Sequence, residues 1–345
     1  MTKETAFPDT APLEALISVS SRVVTISHFR PDGDAAGSLM ACTLFLRSRG
    51  VEVTPVLPCP LADYLAFMAP PQSGLLDFET SPDAVEAVIK SADLIICLDF
   101  NRLSRTEYLE DAIRASKARK VLIDHHVAPD REDFDLVYST AEVSSACELL
   151  YRIILNMPEI GGEVSRIPLE VAEHLYIGMM TDTNNFANSV SPSTFRMAAD
   201  LLEMGVDKNA LQFKVLNNHT EPRMRLMGHL LKDKMNVLPQ YGAAFMILTA
   251  DEKQEYSFRP GDAEGFVNLP LSIAGVNLSA FFTECRDEEY VRVSLRSRPG
   301  TDVNALARGW YNGGGHINAA GGRLFLPTEE IPAYFLKSLE EYFGK

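Results

Sequence analysis

The chain has 345 residues, of which 46% are hydrophobic and 23% are charged. These values are typical of a soluble globular protein and exclude a disordered, collagen-like or membrane-spanning chain. At roughly 150 residues per domain, the length indicates two domains that can each bury a core. Lys plus Arg number 32 and Asp plus Glu number 47, which gives a net charge of −15 and argues against long duplex nucleic acid as a partner.

The cysteines and the N-terminal residues favour a cytoplasmic location. The 5 cysteines include no CxxC pair, and Cys97 and Cys147 lie in apolar surroundings, as small core residues do. The first twelve residues contain no apolar segment of the secretory kind, and no stretch approaches ~18 consecutive apolar residues. We therefore expect a reducing compartment and no membrane partner.

The first half of the chain alternates short β-rich runs with helix-like stretches. The strand-like runs between Arg22 and about Tyr138 are RVVTIS, VEVTPVL, ADLIICL and RKVLI, and the helix-like stretch SLMACTLFLRSRG follows the first of them. Each run is apolar at consecutive positions, as strands covered on both faces are. The alternation predicts an α/β domain built on a parallel sheet.

The next segments of the chain are predicted to be helices. VSSACELLYRIIL and IPLEVAEHLYIGMMTDT keep helical spacing of their apolar residues, and STFRMAADLLEMG predicts a further helix with Ser193 as N-cap and Gly205 as its stop. The segment from there to Met235 is polar with helical spacing, and it predicts no hydrophobic core of its own. We therefore predict a first domain over 1–190 and a helical linker over 191–235.

The last part of the chain, 236–345, predicts a smaller mixed α+β domain. Strand-like GAAFMILTA, VNLSAFFTE and YVRVSLRSR are followed by a short helix DVNALARGWYN, a loop GGGHINAAGG, a strand RLFL and a terminal helix. In the third run Val291, Val293 and Leu295 alternate with polar residues, which is the period of a half-buried strand.

Polar residues stand where the buried runs of the first domain end. Because ligands of open α/β sheets bind at the carboxyl ends of the strands, we expect these residues to share one edge. A single Asp at such a place is more often a helix cap or turn residue. Several carboxylates packed together repel one another unless cations are present. The residues concerned are His28, Asp32, Asp34, Asp99, Asp124, His125, His126 and Asp182.

The residue types at this edge indicate which cations are bound. Aspartates with imidazoles and no thiolate suit Mn²⁺, Mg²⁺ or a similar ion better than a structural zinc site. More ligands are available than one octahedral ion takes from a protein. The sequence therefore predicts a centre of two metals ~3.5–4 Å apart, as in the hydrolysis of phosphate esters.

A second candidate site lies in the last domain. Residues 291–325 contain five arginines against Asp302 alone, a local balance of 5 − 1 = +4 in an acidic chain. Arginine side chains and a Gly313-Gly314-Gly315 loop with exposed backbone N–H groups are typical of phosphate binding. With Arg296 and His316 beside this loop, we favour substrate binding over a flexible turn.

Five motifs in order resemble the DHH phosphoesterase superfamily. The strings are HFRPDGDAAGS, the LDF at Asp99, the DHH that starts at Asp124, the TDT at Asp182, and the C-terminal GGGHINAAGG preceded by SLRS. The last resembles the DHH-associated substrate-binding domain. The resemblance covers roughly Val23 to Gly322.

The resemblance implies a role for each residue at the sheet edge. His28 and Asp32 would hold one manganese, Asp34, His125 and Asp182 the other, and Asp99 would bridge the two. His126 would contact the scissile phosphate or its leaving group, and Asp124 would orient its neighbours. Mg²⁺ or Co²⁺ would be substitutes for Mn²⁺. Many members have Gly where this chain has Asn184, which puts the local backbone and substrate contacts in question.

Within the superfamily, the two-domain length most resembles enzymes that degrade short oligoribonucleotides and remove the 3′-phosphate of 3′-phosphoadenosine 5′-phosphate. A phosphodiesterase for linear or cyclic dinucleotides is the alternative, and a nucleotide-binding sensor without turnover is an alternative of another class. A family-II pyrophosphatase is less favoured because its second domain differs. A Rossmann oxidoreductase is disfavoured because no GxGxxG follows the first strand. The sequence does not determine the oligomeric state, and a homodimer is among the possible partners.

Overall fold

The computed structural model describes residues 8–286 and 289–344. The chain divides into two compact units after Asn218, a point inside the predicted linker. Within the described residues, no helix is both long and apolar enough to cross a membrane.

The first unit is built on a six-stranded parallel sheet, which confirms the predicted α/β class. Its strands are β1 (Val23–Ile26), β2 (Val53–Leu57), β3 (Leu76–Asp77), β4 (Leu94–Leu98), β5 (Arg119–Asp124) and β6 (Leu136–Ser139). Their order is β3-β2-β1-β4-β5-β6, so the chain reverses its direction of winding between β1 and β4. The edge strands β3 and β6 were not predicted because they are short and only half-buried.

Helices cover both faces of this sheet. They are α1 (Ala11–Ser18), α2 (Gly33–Ser48), α3 (Pro82–Ser91), α4 (Glu110–Ala115), α5 (Ala146–Leu155), α6 (Leu169–Asp182), α7 (Pro192–Glu203) and α8 (Lys208–Leu216). Alternate residues of β4 point into separate cores: Leu94, Ile96 and Leu98 pack with α2, α5 and α6, and Ile95 and Cys97 pack with α3 and α4. Strands buried on both faces explain the continuous apolar runs in the sequence.

The predicted linker is shared between the two units. Leu201 of α7 and Leu211 of α8 belong to the core of the first unit, whereas Leu226 of the next helix, α9 (Glu221–His229), packs in the second. The predicted N-cap of α7 was wrong: Ser191 caps the helix in a reciprocal capping box. Ser193 lies in its first turn.

The second unit contains a six-stranded mixed sheet, as predicted. Its strands are β7 (Asn236–Leu238), β8 (Ala243–Leu248), β9 (Leu278–Cys285), β10 (Tyr290–Ser297), β11 (Gly314–His316) and β12 (Ala319–Leu324), in the order β11-β12-β10-β9-β8-β7. The helices α10 (Ala250–Glu255), α11 (Val303–Trp310) and α12 (Ile331–Phe343) complete it. The segment GGGHINAAGG is a hairpin, not a loop, because β11 and β12 pair antiparallel through it.

Candidate metal centre

Three neighbouring strands carry predicted site residues at their carboxyl ends. His28 lies two residues after β1, Asp99 directly follows β4, and Asp124 is the last residue of β5, with His125 next to it. The strands are adjacent in the order β1-β4-β5. Their ends therefore meet at the point where the winding of the sheet reverses, which is where open α/β sheets bind ligands.

Two helix ends bring the remaining carboxylates to the same edge. Asp32 is the N-cap of α2, and its Oδ1 accepts hydrogen bonds from the backbone N–H groups of Asp34 and Ala35, both at 3.0 Å. Asp34 lies in the first turn of α2, and Asp182 is the last residue of α6. Asp32 is thus a helix cap as well as a candidate ligand.

A glycine sets the distance between these two helices. A Cβ atom at Gly178 of α6 would lie 2.7 Å from Asp34 Oδ1 and 2.2 Å from Cys147 Sγ. No side chain fits in that space, so only glycine lets α6 approach the Asp34 carboxylate.

Asp99 is central to the arrangement. His28 Nε2 lies 3.5 Å from Asp99 Oδ2, and His125 Nε2 lies 3.3 Å from Asp99 Oδ1. His125 Nε2 is also 3.8 Å from Asp34 Oδ2 and 3.6 Å from Asp182 Oδ2. All of the candidate ligands except Asp32 and Asp182 are buried.

Two potential metal-binding groups share the Asp99 carboxylate. His28, Asp32 and Asp99 each offer a ligand atom, and the three atoms lie within 4.8 Å of one another; so do atoms from Asp34, Asp99 and His125. The structure thus brings together the two ligand sets that the resemblance implied. Asp182 lies beside the second set, because its Oδ2 is 3.6 Å from His125 Nε2. A further group joins Asp99, Asp124 and His126.

The buried carboxylates of this site repel one another, which favours a bound cation. Burial, together with the charges of Asp99 and Asp182, raises the pKa of Asp34 well above its ordinary value. Burial alone would raise the pKa of Asp99 too, but the neighbouring imidazoles of His125 and His28 outweigh burial and hold that pKa well below its ordinary value.

Local geometry at Asp99 also fits a metal. Asp99 Oδ1 is buried and makes no well-formed hydrogen bond with the described residues, although His125 Nε2 lies 3.3 Å away. Such an atom is costly unless a ligand satisfies it. The Asp99 backbone has φ of 63°, a strained conformation for a residue other than glycine that often marks functional sites. Oxygen and imidazole ligands of this kind suit Mn²⁺ or Mg²⁺.

Asp34 is held by the start of α5, which sequence reasoning did not detect. The backbone N–H groups of Ala146 and Cys147 donate to Asp34 Oδ2 and Oδ1 at 2.6 and 3.0 Å. Ser145 caps the same helix. The N-terminus of a helix favours a negative charge, so α5 fixes the position of the Asp34 carboxylate.

A fully buried carboxylate stabilises this helix start. Glu148 Oε2 accepts from the backbone N–H of Ser144 at 2.9 Å, from its Oγ at 2.7 Å and from Thr194 Oγ1 at 2.8 Å. Glu148 Oε1 accepts from Arg152 Nη2 and Ser193 Oγ, both at 2.6 Å. The S-x-x-E pattern at Ser145 was the available signal, since it is typical of a helix N-terminus.

Asp124 fixes the orientation of His126. Its Oδ1 lies 2.7 Å from His126 Nδ1, and its Oδ2 accepts the His126 backbone N–H at 3.1 Å. Asp124 is fully buried. Because the ring is fixed at Nδ1, its Nε2 atom points in one direction. This is expected of a histidine that donates a proton or binds a ligand.

The departure at Asn184 is compatible with the backbone that glycine would adopt. Asn184, Asn185 and Phe186 have φ of 47°, 55° and 67°. Among residues with a side chain, Asn is one of those that tolerate this left-handed region best. Asn184 therefore adopts a conformation that glycine favours, directly after the helix that ends at Asp182.

In the second unit, the predicted substrate-binding residues lie on β10 and on the β11-β12 hairpin. Arg296 is on β10, where it is half-buried like Arg292 and Ser294, and Val291, Val293 and Leu295 at the alternate positions are buried, as the sequence pattern predicted. The buried Arg292 Nε and the buried Ser279 Oγ have no hydrogen-bond partner in the described part of the chain. Ser279 of β9 pairs in register with Arg296. His316 is the last residue of β11.

The glycines of the hairpin act differently from what the sequence suggested. The N–H of Gly313 donates to Ala307 O at 3.2 Å, and that of Gly315 to Asn304 Oδ1 at 3.0 Å. These two donors are therefore engaged within the protein, which corrects the expectation of exposed N–H groups. Glycine is needed for close packing instead, because a Cβ at Gly313 would lie 1.8 Å from Gly321 O. Gly314 pairs with Gly321 in the hairpin.

A parallel α/β unit with paired aspartate and histidine groups at its switch point, followed by a mixed unit, defines a class of phosphoesterase. Residues 22–179 match the model of the DHH family, N-terminal domain, and residues 241–345 match the DHHA1 domain. The chain belongs to the DHH family and is a hydrolase of phosphoester bonds.

Known proteins resemble the chain over nearly its whole length. The crystal structure of an exopolyphosphatase-related protein from Bacteroides fragilis is 37% identical and covers 99% of this chain and 98% of its own, with a TM-score of 0.90. The bifunctional oligoribonuclease and PAP phosphatase NrnA of Bacillus subtilis is 28% identical over 90% of this chain and 91% of its own length. The cyclic-di-AMP phosphodiesterase PdeA of Listeria monocytogenes is 26% identical over 90% of this chain but only 46% of its own.

Proposed function

We propose that the protein is a manganese-dependent phosphoesterase that hydrolyses short oligoribonucleotides and 3′-phosphoadenosine 5′-phosphate. One observation supports this most: two ligand groups, His28 with Asp32 and Asp34 with His125, meet at the single buried carboxylate of Asp99. Paired sites that share a carboxylate are typical of two-metal phosphoester hydrolysis. The similarity to the Bacillus subtilis oligoribonuclease supports the substrate class.

The residues of the first unit divide between holding metal and acting on substrate. His28, Asp32 and Asp99 would hold one ion, and Asp34, Asp99, His125 and Asp182 the other. Bound divalent ions would neutralise charge on the reacting phosphate and lower the pKa of a bound water. His126, fixed by Asp124, would contact the phosphate or donate a proton to the leaving oxygen. Arg296 and His316 would bind a substrate phosphate.

The charge of the chain favours short substrates. Arg296 belongs to a segment with a local charge of +4, but the whole chain carries −15. Phosphates beyond the binding residues would therefore meet repulsion more often than new contacts. A short RNA and a nucleotide with two phosphates both present the few charges that such a surface can accept.

A length series of labelled RNA at fixed salt, together with 3′-phosphoadenosine 5′-phosphate, tests this proposal. With Mn²⁺ we expect kcat/KM to be highest for substrates of a few nucleotides and to decline steeply with length. Rates that stay flat or rise toward twenty nucleotides would contradict the proposal. Magnesium and cobalt salts in the same assay identify the preferred ion.

A dinucleotide phosphodiesterase is the second candidate, and the similarity to the Listeria monocytogenes cyclic-di-AMP phosphodiesterase favours it. Adding linear and cyclic diadenylate to the substrate panel separates the two candidates by kcat/KM. A sensor without turnover is tested with bis(p-nitrophenyl) phosphate, which such a sensor would leave intact in the presence of Mn²⁺.

We also propose a reducing, cytoplasmic environment. All 5 cysteines of the chain are free thiols, and four of them are buried. Burial raises the pKa of Cys42 to about 12, which makes that thiol unreactive at neutral pH. Cell fractionation with an antibody to the protein tests the location.

A further inference from the structure

The turn that follows Asp99 carries two arginines and a tyrosine at intervals of three residues. It is a 3₁₀ helix, Leu103–Leu109, with Arg102 as its N-cap. The backbone N–H of Arg105 donates to Arg102 O at 3.1 Å, which brings the two arginines together at the start of the turn. Glu107 interrupts the turn with φ of 48°, and Tyr108 follows this interruption.

This turn is attached directly to the metal centre. Arg102 lies three residues after Asp99, which both ligand groups share. The backbone N–H of Phe29 donates to Arg105 O at 2.8 Å, and Phe29 is the residue after His28. One hydrogen bond thus connects the turn to the segment that supplies the first ligand, so the turn lies at the rim of the centre.

The tyrosine presents an aromatic ring at this rim. Tyr108 is 54% exposed, although two other rings hold it. The Phe78 ring stacks on it with centroids 5.8 Å apart and an angle of 21°, and the Phe29 ring meets it edge-on at 5.5 Å. An exposed ring that is fixed from behind is suited to stack on a nucleobase, which requires no particular base.

The two arginines are not neutralised by the protein. Arg114 and Arg119, further along the chain, pair with acids, but neither Arg102 nor Arg105 has a side-chain hydrogen bond or ion pair with any residue in 8–286 or 289–344. Glu107, the acid on the same turn, has interactions of its own. In a chain of net charge −15, two half-buried arginines without acid partners among the described residues indicate an anionic ligand.

We propose that Arg102, Arg105 and Tyr108 form a nucleotide subsite for single-stranded RNA on the metal-binding unit. The guanidinium groups bind a backbone phosphate, and the Tyr108 ring stacks on the base of a nucleotide adjacent to the cleaved linkage. This rim subsite rests on the proposed function, since it extends the same substrate beyond the nucleotide at the metals. Its residues belong to the first unit, whereas Arg296 and His316 belong to the second.

The test compares Arg105→Ala and Tyr108→Leu with matched controls. Arg22→Ala removes an arginine at the opposite end of the same sheet, where it pairs with Asp93 at 3.7 Å. Tyr108→Phe keeps the ring. The substrates are a tetraadenylate and bis(p-nitrophenyl) phosphate, which has a single phosphate and no nucleobase.

We expect Arg105→Ala to lower kcat/KM for tetraadenylate about ten- to a hundred-fold, and Tyr108→Leu by at least about fivefold. Both variants keep kcat/KM for bis(p-nitrophenyl) phosphate, and both controls resemble the parent protein. Equal losses on the two substrates, or no loss on tetraadenylate, would overturn the subsite.

Binding of fluorescein-labelled tetraadenylate, measured by anisotropy in a His126→Ala background with Mn²⁺, does not depend on turnover. Arg105→Ala should weaken binding and reduce the slope of log affinity against log salt by about 0.7 for each phosphate that the variant no longer neutralises. If the parent protein hydrolyses no RNA, the proposed function fails and this binding measurement alone decides the subsite. Absent binding, or an unchanged salt slope, refutes it.

Discussion

Removal of the Glu148 carboxylate should destabilise the first unit by several kcal/mol. Glu148→Ala would take away the acceptor for hydrogen bonds from Ser144, Ser193 and Thr194 and would break the buried ion pair with Arg152. Breaking a buried ion pair by removing one partner costs about 3–5 kcal/mol. For a domain of 150–250 residues, each kcal/mol lowers Tm by about 2–4 °C, so we expect a decrease of roughly 6–20 °C.

A matched surface pair provides the control for this measurement. Glu163 and Arg166 form an ion pair at 2.7 Å with both side chains about half exposed, and exposed pairs contribute about 0–1 kcal/mol. Thermal unfolding followed by circular dichroism should therefore show a large shift for Glu148→Ala and almost none for Glu163→Ala. Equal shifts in the two variants would refute the assignment of Glu148 as a buried structural carboxylate.

The same substitution should weaken metal binding. Glu148 stabilises the start of α5, whose backbone N–H groups hold Asp34. Glu148→Ala should raise the Mn²⁺ concentration needed for half-maximal activity, while saturating Mn²⁺ restores most of kcat. Glu163→Ala serves again as control, and a loss of kcat that Mn²⁺ does not restore would contradict this reasoning.

The stability effect of Glu148 also depends on pH. Burial alone would raise its pKa, but the hydrogen bonds from Ser144 and Ser193 outweigh burial and lower the pKa below 4.5. A depressed pKa stabilises the fold above the unfolded value of 4.5 and loses this contribution as the pH falls through the folded value. The difference in stability between parent and Glu148→Ala should therefore be constant above about pH 5 and shrink in acid.

Further predictions concern metal content and substrate binding. Asp99→Asn should abolish activity and lower the metal content more than any other single change, and two ions per chain in elemental analysis would contradict its shared role. His126→Ala should keep its metal and lose about 10²–10⁴-fold in kcat; loss of the metal would overturn its assignment to the substrate. Arg296→Ala and His316→Ala should each raise KM about ten- to a hundred-fold with unchanged metal content, and a loss of manganese at unchanged KM would contradict their placement in substrate binding.

The strands and their ends could be predicted from the sequence because their signals are local. The apolar run before Asp99 and the run before Asp124 are each one strand of a sheet buried on both faces. Strand ends in a parallel sheet share an edge, so residues distant in the chain could be placed together without any contact information. The parallel sheet and the mixed second sheet follow the same logic and are confirmed.

Contacts made by the backbone could not be predicted from the sequence. The backbone N–H groups of Ala146 and Cys147 hold the Asp34 carboxylate, and the side chains of these two residues do not indicate this role. The β11-β12 hairpin was missed because glycine has little preference for strands, although here only glycine fits the close packing. Ser193 fits the sequence rules for an N-cap, but in the fold its hydroxyl bonds to Glu148.

The contact between α2 and α6 has a consequence for which ions the centre accepts. Gly178 lets α6 approach α2 so closely that no side-chain atom fits between Gly178 and the Asp34 carboxylate. The same helix, α6, ends at Asp182. Ca²⁺ requires oxygen atoms about 0.3–0.5 Å farther away than Mg²⁺ does. To accommodate Ca²⁺ the two helices would have to separate against close-packed neighbours, which protein interiors resist. We therefore expect the packing of these helices, as well as the proposed ligands, to select against Ca²⁺.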